Sequence, residues 1–257
     1  MPKNTPAPLW VSQNFLTSPA LIDRLLRLSN INKDDHVVEI GAGKGHITRR
    51  LCRRCGLVSA MEIDDRLCGR LRESLRTQKN VRVIRADFLR WPLPQTPYKI
   101  FANIPFSHTT EIVRRITQAP RPPEEAWLVM EKGAARRFMG GQSETLLSLL
   151  IKPWFELEMT YHFRREDFHP APSVDTVLLH LRRKPEPDIE PWQRGRYTRF
   201  VTACMKAGSG GFGRYLTKKQ VATALRLAGL PAAYTPRETL YVQWLCLFRC
   251  WRRFGAD

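Results

Sequence analysis

Apolar positions along the chain recur in two periods, and the alternation between them predicts the architecture. Leu21, Leu25 and Leu28 fall at helical spacing behind Ser18, which is placed to cap a helix over residues 19–28. His36 to Ile40 is a short apolar strand running into a glycine cluster; residues 44–55 then read as helix, 57–61 as strand and 64–75 as amphipathic helix. Strands over 81–84, 99–102 and 126–130 follow, with a helix at 109–117. This alternation predicts an α/β fold, a largely parallel sheet with helices on both faces. Two later β runs, 155–163 and 176–181, are separated by the turn-rich His169-Pro170-Ala171-Pro172 and predict an antiparallel pair closing the sheet. Beyond a charged, Pro-rich stretch at 182–191 only helical patterns remain, at 192–206, 218–227 and 238–248, the last opened by Thr235-Pro236-Arg237-Glu238 as a capping box. The expected division is an α/β domain over 1–181 and a small all-α domain over 182–257.

Composition and charge narrow what such a chain does. With 257 residues, 43% of them apolar and 26% charged, it has the material for a real core and lies far from disordered composition. Its 42 Lys and Arg face 24 Asp and Glu, a net charge of +18 that attracts polyanions, nucleic acid first. The excess is concentrated late, with 15 basic and 5 acidic residues over 182–257 against 27 and 19 before them. Arg outnumbers Lys 31 to 11, which suits phosphate forks and stacking on bases, although a GC-rich genome gives the same bias. No run reads as a membrane span or signal peptide, and six cysteines are too few for a disulfide scaffold, so a cytoplasmic protein with reduced thiols is expected. Cys52, Cys55, Cys246 and Cys250 allow a four-thiolate zinc site on paper, but Cys52 to Cys55 reads as a helix end rather than a metal knuckle, and no metal is expected.

The chemistry gathers at strand ends. Glu39-Ile40-Gly41-Ala42-Gly43-Lys44-Gly45 follows a strand and opens a helix, where glycines let the backbone turn tightly and approach a ligand. Its spacing is not that of the dinucleotide fingerprint, and its acidic residue would repel phosphate. A cationic or phosphate-free nucleoside fits better. Glu62, at the next strand end, is placed to accept from ribose hydroxyls, and Asp87, after the third, from an adenine amino group. Together the three acids describe a pocket for S-adenosylmethionine. Gly208 to Gly213 formally matches G-x-G-x-x-G, but a helix precedes it, and a flexible helix-helix loop is expected there.

Asn103-Ile104-Pro105-Phe106 ends the fourth strand. An exocyclic base amine is a poor nucleophile because its lone pair is delocalised into the ring. An Asn carbonyl and the adjacent backbone carbonyl can accept its two hydrogens and leave the lone pair aimed at a methyl donor, while Phe106 stacks on the base. Asn103, Pro105 and Phe106 are thus the candidate catalytic residues. A strand end capped by Asn, with a Pro turn and a core Phe, is the plainer reading of the same four residues.

Taken with Ser12-Gln13-Asn14-Phe15-Leu16, Asp87-Phe88-Leu89, Thr109-Thr110-Glu111 and Phe168-His169-Pro170-Ala171-Pro172-Ser173-Val174-Asp175, these motifs resemble those of the rRNA adenine dimethyltransferases. Within that superfamily the sequence looks most like the erythromycin-resistance (Erm) methyltransferases, over roughly residues 10–182. Phe106 stands where many relatives have Tyr; both stack. The resemblance implies a Rossmann-like methyltransferase sheet, with Asn14, Leu16, Gly41, Gly43, Glu62, Asp87 and Asn103 at the S-adenosylmethionine site. It also implies that Phe168 flanks a flipped adenine opposite Phe106. The implied activity is methylation of an adenine amino group in large-subunit (23S) ribosomal RNA, before full ribosome assembly, by a monomer, with resistance to macrolides, lincosamides and streptogramin B as the result.

The nearest rival is the small-subunit housekeeping dimethylase, against which Ile104 argues, since those enzymes usually read Leu after the Asn. An RNA-binding protein that keeps the fold without catalysis is opposed by the intact glycine cluster and Asn103, and a dinucleotide oxidoreductase by the glycine spacing and charge. The charge distribution further predicts that RNA phosphates run between two domains, held by Arg136, Arg137, Arg164 and Arg165 on one side and by Arg214, Lys218 and Lys219 on the other.

Overall fold

The computed structural model describes residues 14–233 and 235–254, and of Ser209 only the backbone. Its strands are β1 (Phe15–Leu16), β2 (His36–Ile40), β3 (Leu57–Glu62), β4 (Val81–Arg85), β5 (Lys99–Asn103), β6 (Glu125–Glu131), β7 (Phe155–His162), β8 (Phe168–His169) and β9 (Thr176–Arg183). The helices are α1 (Pro19–Leu28), α2 (His46–Arg54), α3 (Asp65–Ser74), α4 (Thr109–Gln118), α5 (Lys132–Met139), α6 (Leu146–Ile151), α7 (Arg194–Lys206), α8 (Lys218–Leu227) and α9 (Tyr241–Phe254).

Seven strands form one sheet in the order β4-β3-β2-β5-β6-β9-β7. The first five are mutually parallel and β9 runs antiparallel to β6, so the observed fold is a mostly parallel sheet with one reversed strand, β9, next to its edge. Val37, Val38, Val58, Ile100, Phe101, Leu128 and Val129 are fully buried. Each such side chain removed from water stabilises the sheet by about 1.5–3 kcal/mol. Local signals set the helix starts: the Ser18 side chain accepts from Leu21 N at 3.3 Å and that of Asp64 from Leu67 N at 2.9 Å. Parallel pairing in register, Ile40 with Met61 and Glu62 with Arg85, brings the carboxyl ends of β2, β3 and β4 to one edge. Ligands bind at such an edge in open α/β sheets.

The described residues pack as two compact units, those within 1–135 with 158–182, and those within 136–157 with 183–257. The segment 136–157, which pattern alone groups with the α/β part, thus belongs with the C-terminal helices. The reason lies in specific anchors: Arg194 stacks over Trp154 at 4.3 Å, Lys184 N donates to the Trp154 carbonyl at 2.8 Å, and Asp188 N donates to the Pro153 carbonyl at 3.0 Å. Helices α5 and α6 have no counterpart in the pattern reading. The Thr235 capping box forms only a turn, Glu238 N donating to the Thr235 carbonyl at 3.2 Å; α9 starts later, where Gln243 Oε1 accepts from Leu240 N at 2.6 Å. Gly208–Arg214 is a 3₁₀ stretch rather than a flexible loop, and a side chain on Gly211 would collide with the Cys204 carbonyl.

Candidate active site

A cleft of about 1130 Å³, counting the space open to solvent, lies at the carboxyl edge of the parallel strands. It brings together Asn14, Gly41, Glu62, Asp87, Asn103, Pro105 and Phe106 of the expected site residues. None of its described lining residues is Lys or Arg, in a chain that carries 42 of them. A pyrophosphate would find no cation here, whereas a cationic nucleoside finds carboxylates.

The strand ends build the acidic side. Gly41, at φ +70°, takes a left-handed turn that favours glycine. Gly43, at φ +53°, donates its N–H to Glu62 Oε2 at 2.8 Å. The amides of Ile63 and Asp64 both donate to Glu62 Oε1 at 2.9 Å, so one carboxylate receives three backbone N–H groups. That fixes the carboxylate and leaves one lone-pair site, on Oε2, for a hydroxyl. Asp87 Oδ1 accepts from Leu89 N at 2.9 Å, closing a turn at the end of β4 and leaving Oδ2 toward Arg90 at 3.7 Å. Between the acids the walls are apolar. Ile63 is 49% exposed and Phe88, though only 6% exposed, reaches the wall beside Asp87, so a base has apolar surface beside each carboxylate. Each of these residues directly follows a strand-end acid, the one sequence signal that marks them.

Glu39 behaves otherwise. Only 2% exposed, it sits beneath the glycine cluster with Oε2 unpaired. Burial pushes its carboxyl up to about 8, the Glu62 carboxylate adding to the effect and Thr48 opposing it. Near neutral pH it is largely uncharged, so the phosphate repulsion that the sequence assigned to this acid falls to Glu62 and Asp87 instead.

The opposite wall is the end of β5. Asn103 Nδ2 donates to the backbone carbonyl of Asn14 at 2.6 Å, which leaves Oδ1 as an acceptor. Pro105, extended at φ −64°, turns the chain into the 3₁₀ turn Phe106–His108, held by Thr109 Oγ1 donating to the Phe106 carbonyl at 3.0 Å. Half-buried Phe106 thereby stands beside Asn103 at the cleft wall.

Three expected site residues do not line the cleft. Leu16 (2% exposed) and Phe168 (4%) face each other across the β1–β8 pair inside the core, because both are large apolar side chains with partners there. Phe168 packs on Phe163 at 5.1 Å, so in this conformation its ring is a core ring and not a second stacking face. Gly43 is buried and contributes through Glu62. Ser12 and Gln13 lie outside the described residues.

The expected RNA-contacting cations are all exposed. Arg164 pairs with Glu166 at 3.4 Å and Arg165 donates to the Ser173 carbonyl at 3.1 Å, both in the α/β unit. Arg136 and Arg137 end α5 in the helical unit, where Arg214, Lys218 and Lys219 also lie. Among the described residues no cluster of metal-ligating side chains occurs and no helix is long and apolar enough to cross a membrane.

Over residues 10–227 the sequence matches the family described as ribosomal RNA adenine dimethylase. The chain belongs to that family. It is 33% identical over 246 residues to an rRNA adenine N-6-methyltransferase of Lysinibacillus sphaericus, covering 95% of this chain and 97% of the relative. An enzyme of the same description from Limosilactobacillus reuteri is 34% identical, with 95% and 96% covered. The crystal structure of the 23S rRNA methyltransferase ErmE superposes with a TM-score of 0.83 at 32% identity, covering 93% of this chain and all of that one. A dimethyladenosine transferase from Plasmodium falciparum shares the fold, with a TM-score of 0.71 at 17% identity over 91% of this chain and 95% of its own. The family uses S-adenosylmethionine, and the cleft fits it: two carboxylates able to accept from a nucleoside's hydroxyl and amino groups, apolar walls able to face a base, and no Lys or Arg among the described lining residues to oppose a sulfonium.

Proposed function

We propose that this rRNA adenine N-methyltransferase acts on the exocyclic amino group of an adenine in 23S rRNA and so confers resistance to macrolides, lincosamides and streptogramin B. The observation that carries the mechanism is the Asn103 amide, held by Asn14 so that its oxygen is free to accept. The likeness to ErmE, a 23S rRNA methyltransferase, supports the large-subunit target.

S-adenosylmethionine, when bound, supplies an electrophilic methyl on a sulfonium. Glu62 and Asp87 hold the nucleoside through hydroxyl and amino donors, and Ile63 and Phe88 flank the base. Asn103 Oδ1 and the adjacent backbone carbonyl accept the two hydrogens of the adenine amine, drawing its nitrogen toward pyramidal geometry and freeing the lone pair. Pro105 fixes the turn that presents Phe106, whose face stacks on the flipped base and offsets part of the cost of unstacking. No strong general base is required, since the methylated amine loses its extra proton readily to water.

RNA phosphates are held by Arg164 and Arg165 of the α/β unit and by Arg136, Arg137, Arg214, Lys218 and Lys219 of the helical unit; the exposure of all seven and the net charge of +18 support this. The protein works as a monomer in the cytoplasm, on rRNA before the subunit is fully assembled, when a buried adenine is still within reach.

The test is to incubate the chain with methyl-labelled cofactor and, separately, purified 23S and 16S rRNA, and to map modified positions by primer extension. Label and a stop confined to 23S rRNA are expected. Label on 16S rRNA alone would assign the small-subunit reaction, and no label on either would remove the catalytic reading.

A further inference from the structure

The segment 14–16 touches the site at three points. The Asn14 carbonyl accepts from Asn103 Nδ2 at 2.6 Å. The Phe15 ring packs so closely over Gly43 that a Cβ there would lie 2.9 Å from Phe15 Cε1, and Lys44 Nζ stands 5.4 Å above the same ring. Both Asn14 and Phe15 also form part of the cleft wall. One short strap therefore links the glycine turn to the amide at the end of β5.

A two-residue strand has little intrinsic stability. Its partner is β8, more than 150 positions away in sequence, with Phe15 opposite His169 and Leu16 opposite Phe168. The two buried side chains of this ribbon, Leu16 at 2% exposure and Phe168 at 4%, are therefore its anchors, and both lie in one core cluster. On the far side Phe168 leans on Phe163 at 5.1 Å, and Phe163 on Tyr161 at 4.9 Å.

We propose that Phe168 is a positioning residue for methyl transfer: it anchors β8, β8 holds β1, and the Asn14 carbonyl at the head of β1 fixes the Asn103 amide with its oxygen toward the substrate amine. The proposal rests on the reading of Asn103 as the group that receives that amine. It assigns the Phe168 segment a task that needs apolar bulk in the core rather than an aromatic face on the base.

Bulk and aromaticity separate in the variants Phe168→Leu and Phe168→Ala, studied in the full chain. Two readouts are followed: single-turnover methyl transfer at saturating RNA and cofactor, and the ¹⁵N side-chain amide signal of Asn103, assigned by its loss in Asn103→Ala. Phe168→Leu is expected to keep the amide signal in place and the rate within about 3-fold of wild type, because the core stays filled. Phe168→Ala is expected to shift the amide signal toward that of a solvated amide and to slow transfer about 10- to 100-fold, the effect of misplacing a reacting group by a fraction of an ångström to an ångström. At saturating cofactor any change in its affinity drops out of the rate, and the RNA dissociation constant should move less than about 2-fold, a split between rate and binding that general destabilisation does not give. Should Phe168→Ala not fold, Phe168→Val replaces it with the same two readouts and the same expected directions.

If Phe168→Leu is as slow as Phe168→Ala while the Asn103 signal stays unmoved in both, the ring acts on the base and the proposal is overturned. An inactive wild type would defeat the catalytic reading of Asn103, yet the amide signal would still show whether Phe168 controls its position.

Discussion

The side-chain nitrogen of Asn103 donates to the backbone carbonyl of Asn14 at 2.6 Å, and this one bond decides which end of the amide faces the cleft. An amide turned the other way would present a donor to an amine that is itself a donor. On the proposed mechanism the arrangement therefore favours an amino group over a carbonyl at the reacting position.

Two substitutions separate the parts of that bond. Asn103→Ala removes the acceptor and is expected to lower kcat by about 10²- to 10³-fold, the scale for losing one oriented polar partner of a transition state, with RNA affinity nearly unchanged. Asn103→Asp keeps an oxygen in place but has no donor for the Asn14 carbonyl. It should be as poor as Asn103→Ala. Single-turnover transfer of labelled methyl measures both, and an Asp variant within a few-fold of wild type would show that the clamp is dispensable.

Phe106 is half-buried beside Asn103 and stands on a turn fixed by Pro105. Phe106→Tyr keeps a flat face and should retain activity. Phe106→Ala should lose a stack of about 1–3 kcal/mol, or about 5- to 150-fold in kcat/KM. Equal rates for the Ala and Tyr variants would make Phe106 a packing residue only.

Gly43 combines φ +53° with a Cβ position 2.9 Å from the Phe15 ring, while its N–H is one of three that hold Glu62. Gly43→Ala must both strain the turn and push Phe15 aside. Cofactor affinity is expected to fall by about 10-fold or more, since strain of this kind costs about 1–3 kcal/mol. Isothermal titration with the cofactor, beside a thermal melt that confirms folding, checks it.

Buried Glu39 sets a pH dependence. Its carboxyl is raised to about 8 in the folded chain, well above the usual range, so the folded state holds a proton that the unfolded state releases. Stability from this group is complete below about pH 4.5, falls as pH rises, and is lost once the folded carboxyl ionises above about pH 8. Glu39→Gln lacks the ionisation. The urea midpoint of the variant relative to wild type should therefore climb between pH 5 and about 8 and level off beyond it. A constant difference would show that Glu39 is ionised throughout.

The limits of reading the sequence follow from range. Ser18, Asp64 and the apolar runs of β2, β3 and β5 act on residues within four positions of themselves, and the elements they predict appear where expected. Thr235 is local too, but Gln243, sitting 2% exposed and bonded to the Pro231 carbonyl, captures the helix start instead. The strand-end carboxylates and Asn103 were legible because parallel strands bring successive carboxyl ends to one edge. Leu16 and Phe168 were not, since only the pairing of residues about 150 positions apart shows that they face the core rather than the ligand. Nor was the allegiance of Arg136 and Arg137, which depends on Trp154 meeting Arg194.

That allegiance shapes the last prediction. Of the seven exposed cations proposed to hold phosphates, five, Arg136, Arg137, Arg214, Lys218 and Lys219, belong to the helical unit, and Arg164 and Arg165 to the α/β unit. Arg164 faces Glu166 at 3.4 Å and Arg165 is engaged by the Ser173 carbonyl at 3.1 Å, whereas Lys218 and Lys219 open α8 without an acid in its first turn. Two cations at a helix N-terminus oppose the helix dipole and so weaken the helix slightly, a cost that binding to phosphate would offset. Each phosphate no longer neutralised should reduce the slope of log affinity against log salt by about 0.7–0.9. Replacing Lys218 and Lys219 together by Gln is therefore expected to flatten that slope by about 1.4–1.8, to leave cofactor affinity unchanged, and to raise the melting temperature slightly. The same double replacement at Arg164 and Arg165 should flatten it less, because a guanidinium already paired with a carboxylate releases fewer counterions. Filter binding of an rRNA fragment across a salt series measures both variants. A slope unaltered by the lysine pair would place the RNA path away from the start of α8 and make its charge a matter of solubility alone.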